Sequence, residues 1–193
     1  MTQEQILQIF EHTGALQKGH FGLTSGLHSD TYFQCALVLQ HPQHAERLCA
    51  IGKSRFAGQR LDAVIAPAVG GIIVAYELAR QFGVRNLFTE RQNGIMSLRR
   101  GFRIQPGERL LVTEDVVTTG GSVKEVIALV RELGGEVAGV FAIVDRSGGR
   151  VDFGVPFEPA VRLAVRTFDP ENCPMCRDAV PLDKPGSRGL KSK

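Results

Sequence analysis

The sequence predicts an α/β protein with a doubly wound parallel sheet and flanking helices. Apolar runs of strand length alternate with amphipathic runs of helical spacing along the middle of the chain. The expected strands cover residues 62–68, 84–89, 109–114 and 137–145, and the expected helices cover 44–56, 71–82 and 122–133. Because parallel strands need crossover connections that cover both sheet faces, functional loops are expected at the carboxyl ends of the strands.

Two segments are expected to lie outside this alternation. Residues 1–40 should form a small N-terminal hood: an amphipathic helix, in which Thr2 and Gln5 are spaced like a capping box, precedes a Gly- and His-rich segment of loops and short strands. Residues 90–107, ERQNGIMSLRRGFRIQPG, contain no helical pattern and predict a long hairpin or a mobile flap.

The length of 193 residues suits one domain, with the core sheet in 60–170 and a frayed polar tail at 180–193. The apolar fraction of 43% and the charged fraction of 22% are ordinary for a globular protein. A net charge of +3 is too small for the basic surface that nucleic-acid binding requires, so no nucleic-acid partner is expected.

No membrane contact is expected either, and the expected location is the cytoplasm. The first residues lack the basic flank and apolar stretch of a secretory signal. The most apolar stretch, 63–79, is interrupted by Pro67 and Gly70-Gly71 and contains Glu77, so it cannot be a continuous membrane span.

The four cysteines do not by themselves predict a cross-linked or metal-bound protein. Cys173 and Cys176 form a CxxC pair, whereas Cys35 and Cys49 lie far away in the chain, so neither a disulfide framework nor a four-ligand zinc site is evident. A structural or incidental role is favoured for the CxxC pair, with metal binding and redox use as open alternatives.

The strongest functional pattern is the stretch 110–122, LLVTEDVVTTGGS. Gly120 and Gly121 allow the backbone to approach a ligand closely, and the amides at the start of the following helix favour an anion. Hydroxyl donors are added by Thr118, Thr119 and Ser122. The adjacent carboxylates of Glu114 and Asp115 could bind two sugar hydroxyls or a hydrated Mg²⁺. Together these groups predict a site for ribose 5-phosphate.

Other phosphate-binding motifs do not fit this stretch. Both the Walker pattern GxxxxGK[ST] and the dinucleotide pattern GxGxxG are absent from it. Each piece alone could be an ordinary strand-to-helix turn capped by Ser122 with a solvated acidic pair, but the whole stretch in this order favours the ligand site.

LLVTEDVVTTGGS resembles the phosphoribosyl pyrophosphate (PRPP) signature of the type I phosphoribosyltransferases. The resemblance implies that a nucleophilic nitrogen displaces pyrophosphate from the ribose anomeric carbon, with Glu114 and Asp115 as catalytic residues at the ribose hydroxyls. The PRPP-binding residues that it implies are Glu114, Asp115, Val116, Val117, Thr118, Thr119, Gly120, Gly121 and Ser122. It also implies Mg²⁺ as a cofactor, bound through PRPP, with Asp115 as a candidate contact.

Two further segments resemble the orotate phosphoribosyltransferases. The segment 19–33, GHFGLTSGLHSDTYF, is similar to the hood of that family, in which the aromatic step packs on the pyrimidine, so Phe33 is expected to contact the base. Arg146, in FAIVDR, resembles the arginine that binds orotate, and Thr118 matches a position that contacts the base. A guanidinium suits a carboxylate because it can donate paired hydrogen bonds. Alone, Arg146 would more often be a surface ion-pair partner, and Phe33 an ordinary core residue.

The resemblance also assigns a role to the segment 90–107. It implies a lid that closes over pyrophosphate, often in the neighbouring subunit, which predicts a homodimer. Positive charge there would stabilise the leaving group and exclude water, and Arg91 is the first candidate for this catalytic role. Arg99 and Arg100 are alternatives, and a solvated charged hairpin is the plainer interpretation.

The chain departs from the family at Thr24 and at Val69-Gly70, where well-known members have lysine-containing segments, and in the flap. The predicted reaction joins orotate and PRPP to give orotidine 5′-monophosphate and pyrophosphate, in the de novo biosynthesis of UMP. The alternatives are another purine or pyrimidine phosphoribosyltransferase, which needs no arginine for a base carboxylate, and a regulator that binds PRPP without catalysis.

Overall fold

A computed structural model of the chain describes residues 1–23 and 25–185. Its elements are α1 (Gln3–His12), β1 (Leu16–Gly22), β2 (His28–Phe33), α2 (Cys35–Leu39), α3 (Pro42–Arg55), β3 (Ala63–Pro67), α4 (Gly71–Phe82), β4 (Arg85–Gln92), β5 (Ile95–Leu98), β6 (Arg109–Val117), α5 (Gly121–Glu132), β7 (Glu136–Asp145), β8 (Phe157–Arg162), β9 (Thr167–Phe168) and α6 (Pro174–Arg177). A short 3₁₀ turn lies between β9 and α6.

The main sheet has six strands in the order β5-β4-β3-β6-β7-β8. Every neighbouring pair is parallel except β4 and β5, which form an antiparallel hairpin. Helices α3 and α4 pack with one hydrophobic cluster of the sheet, and α5 packs with a second cluster. The predicted fold class, an α/β doubly wound sheet with flanking helices, is therefore confirmed.

The central strands and helices begin and end close to the predicted positions, because their apolar periodicity is local and uninterrupted. Helix α4 covers the predicted residues, and it ends at Gly83, which has φ of 72°. The sequence did not indicate the edge strand β8, in which Pro159 and charged residues interrupt the apolar pattern. Proline is tolerated there because an edge strand can lack one ladder hydrogen bond.

Strands β1 and β2, from the N-terminal part of the chain, form a separate antiparallel sheet with the short strand β9. The chain returns to this sheet near its C-terminal end, where Asp183 bridges Phe21. Of the tail that was expected to be frayed, 186–193 lie outside the described residues, as does Thr24. The single-domain division remains a prediction. Among the residues that the structure describes, no helix combines the length and apolar character that a membrane crossing needs.

The core on the α3 side is packed so closely that some positions accept only glycine. A Cβ atom on Gly139, in β7, would lie 2.5 Å from Cε1 of Phe56 and 3.0 Å from the carbonyl oxygen of Pro156. Phe56 is 1% exposed, so its ring has little room to move away. Close approach of α3 to β7 therefore depends on this glycine.

We predict that Gly139→Ala lowers the free energy of unfolding by about 1 to 3 kcal/mol, because the added methyl group overpacks the core. Urea denaturation measures the change. Gly58→Ala is the matched control, since a Cβ there meets no atom within 4 Å. Equal stability of the two variants would contradict this packing account.

Candidate functional site

The candidate site lies where β6 and β7 end side by side. Val117, the last residue of β6, pairs with Asp145, the last residue of β7. Beyond this pair, the backbone amide of Arg146 donates a hydrogen bond of 2.8 Å to the carbonyl oxygen of Val117. The structure therefore brings Arg146 next to the start of the loop 118–122, although they are far apart in sequence.

The acidic pair occupies the outer half of β6. The amide of Asp115 donates to Oε1 of Glu114 at 3.2 Å, and the amide of Val116 donates to Oδ1 of Asp115 at 2.8 Å. Burial, followed by the charge of Asp115, raises the pKa of Glu114 to about 9. Burial also raises the pKa of Asp115. Two half-buried carboxyls with raised pKa values indicate a site that favours a proton, a cation or a hydroxyl donor.

The turn after β3 packs directly against this pair. A Cβ on Gly70 would lie 2.3 Å from Oδ2 of Asp115, and a Cβ on Gly71 would lie 3.1 Å from Oε1 of Glu114. The turn includes a cis peptide bond between Ala68 and Val69. Glycine at position 70 thus has a structural reason, because any side chain there would displace the carboxylate of Asp115.

Residues 118–122 form an open cradle at the start of α5. The cleft is lined by Glu114 and by residues 116–123. Gly120 has φ of 75°, and a Cβ on it would lie 2.8 Å from Cγ1 of Val151. Thr118 and Thr119 are exposed at its rim. Because the first turn of a helix presents unpaired amides, this cradle can bind an anion of phosphate size.

Arg146 lies half buried beside the cradle. Burial lowers the pKa of this guanidinium, and Nε is buried without a hydrogen-bond partner. Within residues 1–23 and 25–185, no carboxylate forms a salt bridge with it. A half-buried cation without a counter-charge favours binding of an anionic ligand.

The structure corrects the prediction for Phe33. Its side chain is 5% exposed and belongs to the core, where its ring centroid lies 4.7 Å from that of Phe10. Tyr32, its neighbour on β2, points to the opposite face because strand side chains alternate. Tyr32 is partly exposed, and it lies close enough to Arg146 to oppose in part the effect of burial on the pKa of that guanidinium. Tyr32 is therefore the aromatic residue on the Arg146 side.

Arg91 does not join the acidic pair. Its guanidinium donates two hydrogen bonds of 2.7 Å to the carboxylate of Glu125 on α5, and a third to the carbonyl oxygen of Gly94. Arg100 is similarly bound to Glu90 by two bonds of 2.8 Å. The role of Arg91 as the first pyrophosphate contact stays a prediction, and Arg91 would have to leave Glu125 to fulfil it.

Some residues near the site were not indicated by the sequence. Cys35, at the start of α2, is buried, and after burial itself the charge of Asp115 is the next cause that raises the pKa of its thiol. This places the thiol within electrostatic reach of the acidic pair. Neither Cys35 nor Gly70 belongs to a recognisable motif, so only the folded arrangement relates them to Asp115.

Comparison with known proteins places this geometry in a family. The model of the phosphoribosyl transferase domain matches residues 38–153. The orotate phosphoribosyltransferase of Caldanaerobacter subterraneus subsp. tengcongensis is 60% identical over 98% of this chain and 100% of its own length, and that of Desulforamulus reducens is 58% identical with the same coverage. The solved structure of orotate phosphoribosyltransferase from Aeropyrum pernix is similar with a TM-score of 0.69 and 26% identity, over 82% of this chain and 93% of that one.

The raised pKa of Glu114 predicts a specific pH dependence of stability. An unfolded glutamate has a pKa of about 4.3, whereas Glu114 in the folded chain has one of about 9. Between these values the folded state binds the extra proton, so the free energy of unfolding should fall as pH rises. Glu114→Gln cannot ionise and should weaken this slope.

We expect Glu114→Gln to stabilise the protein at about pH 8.5 by at least about 1 kcal/mol, which corresponds to roughly 2 to 4 °C in Tm. Thermal unfolding between pH 5 and about 9 measures the slope. Glu132→Gln, at an exposed position of α5, is the control. A slope in Glu114→Gln as steep as in the wild type would contradict the assigned pKa.

Proposed function

The chain belongs to the orotate phosphoribosyltransferases of the phosphoribosyl transferase domain family, and we propose that the edge formed by β6 and β7 is its active site. The enzyme transfers ribose 5-phosphate from PRPP to orotate, giving orotidine 5′-monophosphate and pyrophosphate in pyrimidine biosynthesis. The observation that carries the site proposal is Arg146, a half-buried cation without a counter-charge beside an anion cradle.

The donor substrate is proposed to lie along the end of β6 and the start of α5. The amides and hydroxyls of 118–122 would bind its 5-phosphate, and Glu114 and Asp115 would accept hydrogen bonds from the ribose hydroxyls. The order of the groups supports this arrangement, because the two carboxylates lie on β6 and the phosphate cradle follows them directly in the chain. A sugar between them separates the negative phosphate from the carboxylates, which would otherwise repel each other.

Orotate is proposed to bind on the β7 side of the same edge. Arg146 would pair with its carboxylate, and Thr118, exposed at the rim of the cradle, would donate or accept a hydrogen bond at the ring. Tyr32 replaces Phe33 in the proposal as the aromatic contact, since Phe33 lies in the core. A ring contact contributes roughly 1 kcal/mol, so the arginine decides the choice of base.

In the proposed reaction the ring nitrogen of orotate attacks the anomeric carbon as the bond to pyrophosphate breaks. Positive charge that develops on the ribose lies near Glu114 and Asp115, which can stabilise it when ionised. The same half-buried carboxylates fit Mg²⁺, which prefers hard oxygen ligands and commonly binds through one or two carboxylates plus substrate oxygens. When bound, Mg²⁺ would neutralise negative charge on pyrophosphate.

The lid remains a proposal for the hairpin β4–β5 and the segment that follows it. Arg91 and Arg100 hold carboxylates of the same chain, so either would have to exchange its partner on closure. Arg99 is exposed and forms no salt bridge within the described part of the chain. We therefore propose Arg99 ahead of Arg91 as the cation that reaches pyrophosphate.

A homodimer is proposed from the exposed apolar surface beside the acidic pair. Val69, in the turn before α4, is 81% exposed, and Ile73 and Tyr76, which lie three residues apart on α4, are 45% and 62% exposed. Contiguous exposed apolar side chains of this size are typical of protein interfaces. A second copy on this face would lie next to the turn that contacts Asp115.

The cytoplasm is proposed as the location because no disulfide joins any of the four cysteines.

The activity test follows the loss of orotate's ultraviolet absorbance with orotate, PRPP and Mg²⁺ present, and with each omitted in turn. Turnover should require all three. Turnover with adenine or hypoxanthine instead would favour a purine phosphoribosyltransferase, and PRPP binding without turnover of any base would favour a regulator. Either result would overturn the proposed substrate.

Arg146→Ala should raise the KM for orotate by about 10- to 150-fold, because a charged hydrogen bond of roughly 1.5 to 3 kcal/mol is lost. The KM for PRPP should change much less. Arg150→Ala is the matched control, since Arg150 is exposed and its Nε donates only to the carbonyl oxygen of Ser147. Equal increases in both KM values would reject the role of Arg146 in base recognition.

Tyr76→Glu should convert a dimer to monomers, because a buried carboxylate without a partner is costly at an apolar interface. Light scattering after size-exclusion chromatography measures the mass. Leu133→Glu, at an exposed apolar position near the end of α5, should leave the mass unchanged. A monomeric wild type, or a Tyr76→Glu variant that stays dimeric, would reject this interface.

A further inference from the structure

A cluster of four potential metal ligands lies apart from the proposed active site. His20 is on β1, His28 is on β2, Cys173 precedes the short helix α6, and Cys176 lies within it. One ligand atom from each residue lies within 4.8 Å of all the others. The fold thus brings the CxxC pair to two histidines that precede it by about 150 residues.

The distances between ligand atoms are close to those of a tetrahedral site. The two cysteine sulfurs lie 3.5 and 3.7 Å from Nε2 of His20, and Sγ of Cys176 lies 3.3 Å from Nδ1 of His28. Tetrahedral Zn²⁺ with two nitrogen and two sulfur ligands has edges of about 3.3 to 3.8 Å, from bond lengths of about 2.0 and 2.3 Å. The two imidazole nitrogens, at 2.9 Å, would have to separate slightly, and the remaining ligand atoms lie within 4.8 Å of one another.

A backbone carbonyl fixes the orientation of one of the imidazoles. Nδ1 of His20 lies 2.8 Å from the carbonyl oxygen of Val180, which can only accept, so this nitrogen carries the proton. The lone pair of His20 is then on Nε2, which faces the other three ligand atoms. A carbonyl that orients the outer nitrogen of a histidine ligand in this way is typical of metal sites.

The surroundings of the cluster favour a metal over free thiols and imidazoles. His20 and Cys173 are each 3% exposed and His28 is 8% exposed, so three of the four groups have lost contact with water. No carboxylate belongs to the cluster, so all its donors are nitrogen or sulfur. Soft sulfur and imidazole donors select zinc over magnesium or calcium, and four protein ligands leave no open position for a substrate.

We propose that His20, His28, Cys173 and Cys176 form a structural zinc site. Binding displaces two thiol protons to solvent, so Zn²⁺ and two thiolates leave no net charge. His28 would bind through Nδ1 and carry its proton on Nε2. The metal ties β1 and β2 to the C-terminal segment. That link matters because the small sheet has only three strands, and β9 contributes just two residues to it.

The zinc site also supports the proposed base site, a consequence that rests on the proposed function. Tyr32 lies on β2 four residues after His28, and it is close enough to Arg146 to influence the pKa of that guanidinium. Holding β2 in place therefore holds the aromatic residue on the orotate side. Loss of the metal should raise the KM for orotate without removing the groups that bind PRPP.

The test measures metal in the full chain, expressed without an affinity tag and purified without added metal. Elemental analysis should find about one zinc per chain, as a four-ligand site predicts. Cys176→Ser and His28→Asn should each reduce this to near zero. Cys49→Ala and His12→Asn, which change a cysteine and a histidine outside the cluster, should retain it.

Cobalt provides a readout that is independent of activity and of correct packing in the variants. Wild-type protein that is stripped with a chelator and reloaded with Co²⁺ should show intense visible bands of tetrahedral cobalt and sulfur-to-cobalt charge transfer, and its Tm should rise. Wild type without zinc or cobalt binding, iron in place of zinc, or a Cys173–Cys176 disulfide found by mass spectrometry would overturn the proposal. Inactive protein with normal zinc content would contradict only the proposed function.

Discussion

The arrangement of the site depends on the parallel register of β6 and β7. Because Val117 lies opposite Asp145, the anion cradle and Arg146 leave the sheet at the same level and on neighbouring strands. The hydrogen bond from the Arg146 amide to Val117 continues this pairing one residue beyond the strands. A shift of one residue would turn Arg146 to the other face, because side chains alternate along a strand.

This edge concentrates charges that the protein itself does not neutralise. Glu114 and Asp115 lie half buried side by side with raised pKa values, and Arg146 is half buried without a salt bridge to any described residue. Such groups lower the stability of the free protein. In the proposed site, the ribose hydroxyls and the carboxylate of orotate would satisfy these groups, so the same charges that cost stability would provide recognition. The surrounding core, packed as closely as at Gly139 and Phe56, can support that cost.

The sequence predicted what is encoded locally. The strand, acidic pair, glycines and helix of 110–122 lie within one short stretch, and the alternation of strands and helices placed Arg146 at the same edge. Pairing between distant segments was not predictable. Arg91 meets Glu125 only because the β4–β5 hairpin folds over α5, and Phe33 faces Phe10 rather than a ligand because the neighbouring Tyr32 takes the open face.

The histidine and cysteine cluster is a stronger example of contacts between distant segments that the sequence did not predict. The CxxC pair alone gave no reason to prefer zinc, since the two remaining cysteines lie elsewhere and no histidine is near it in sequence. His20 and Cys173 are separated by 153 residues, and they meet because the chain returns to the N-terminal sheet. Strand β2 thus connects the proposed zinc site, through His28, with the proposed substrate site, through Tyr32.

A crystal structure with PRPP bound tests the central claim most directly. The account predicts the 5-phosphate in the cradle of 118–122 and the ribose hydroxyls at Glu114 and Asp115, with the anomeric carbon facing the Arg146 side. PRPP bound elsewhere, with the cradle facing solvent, would contradict the account.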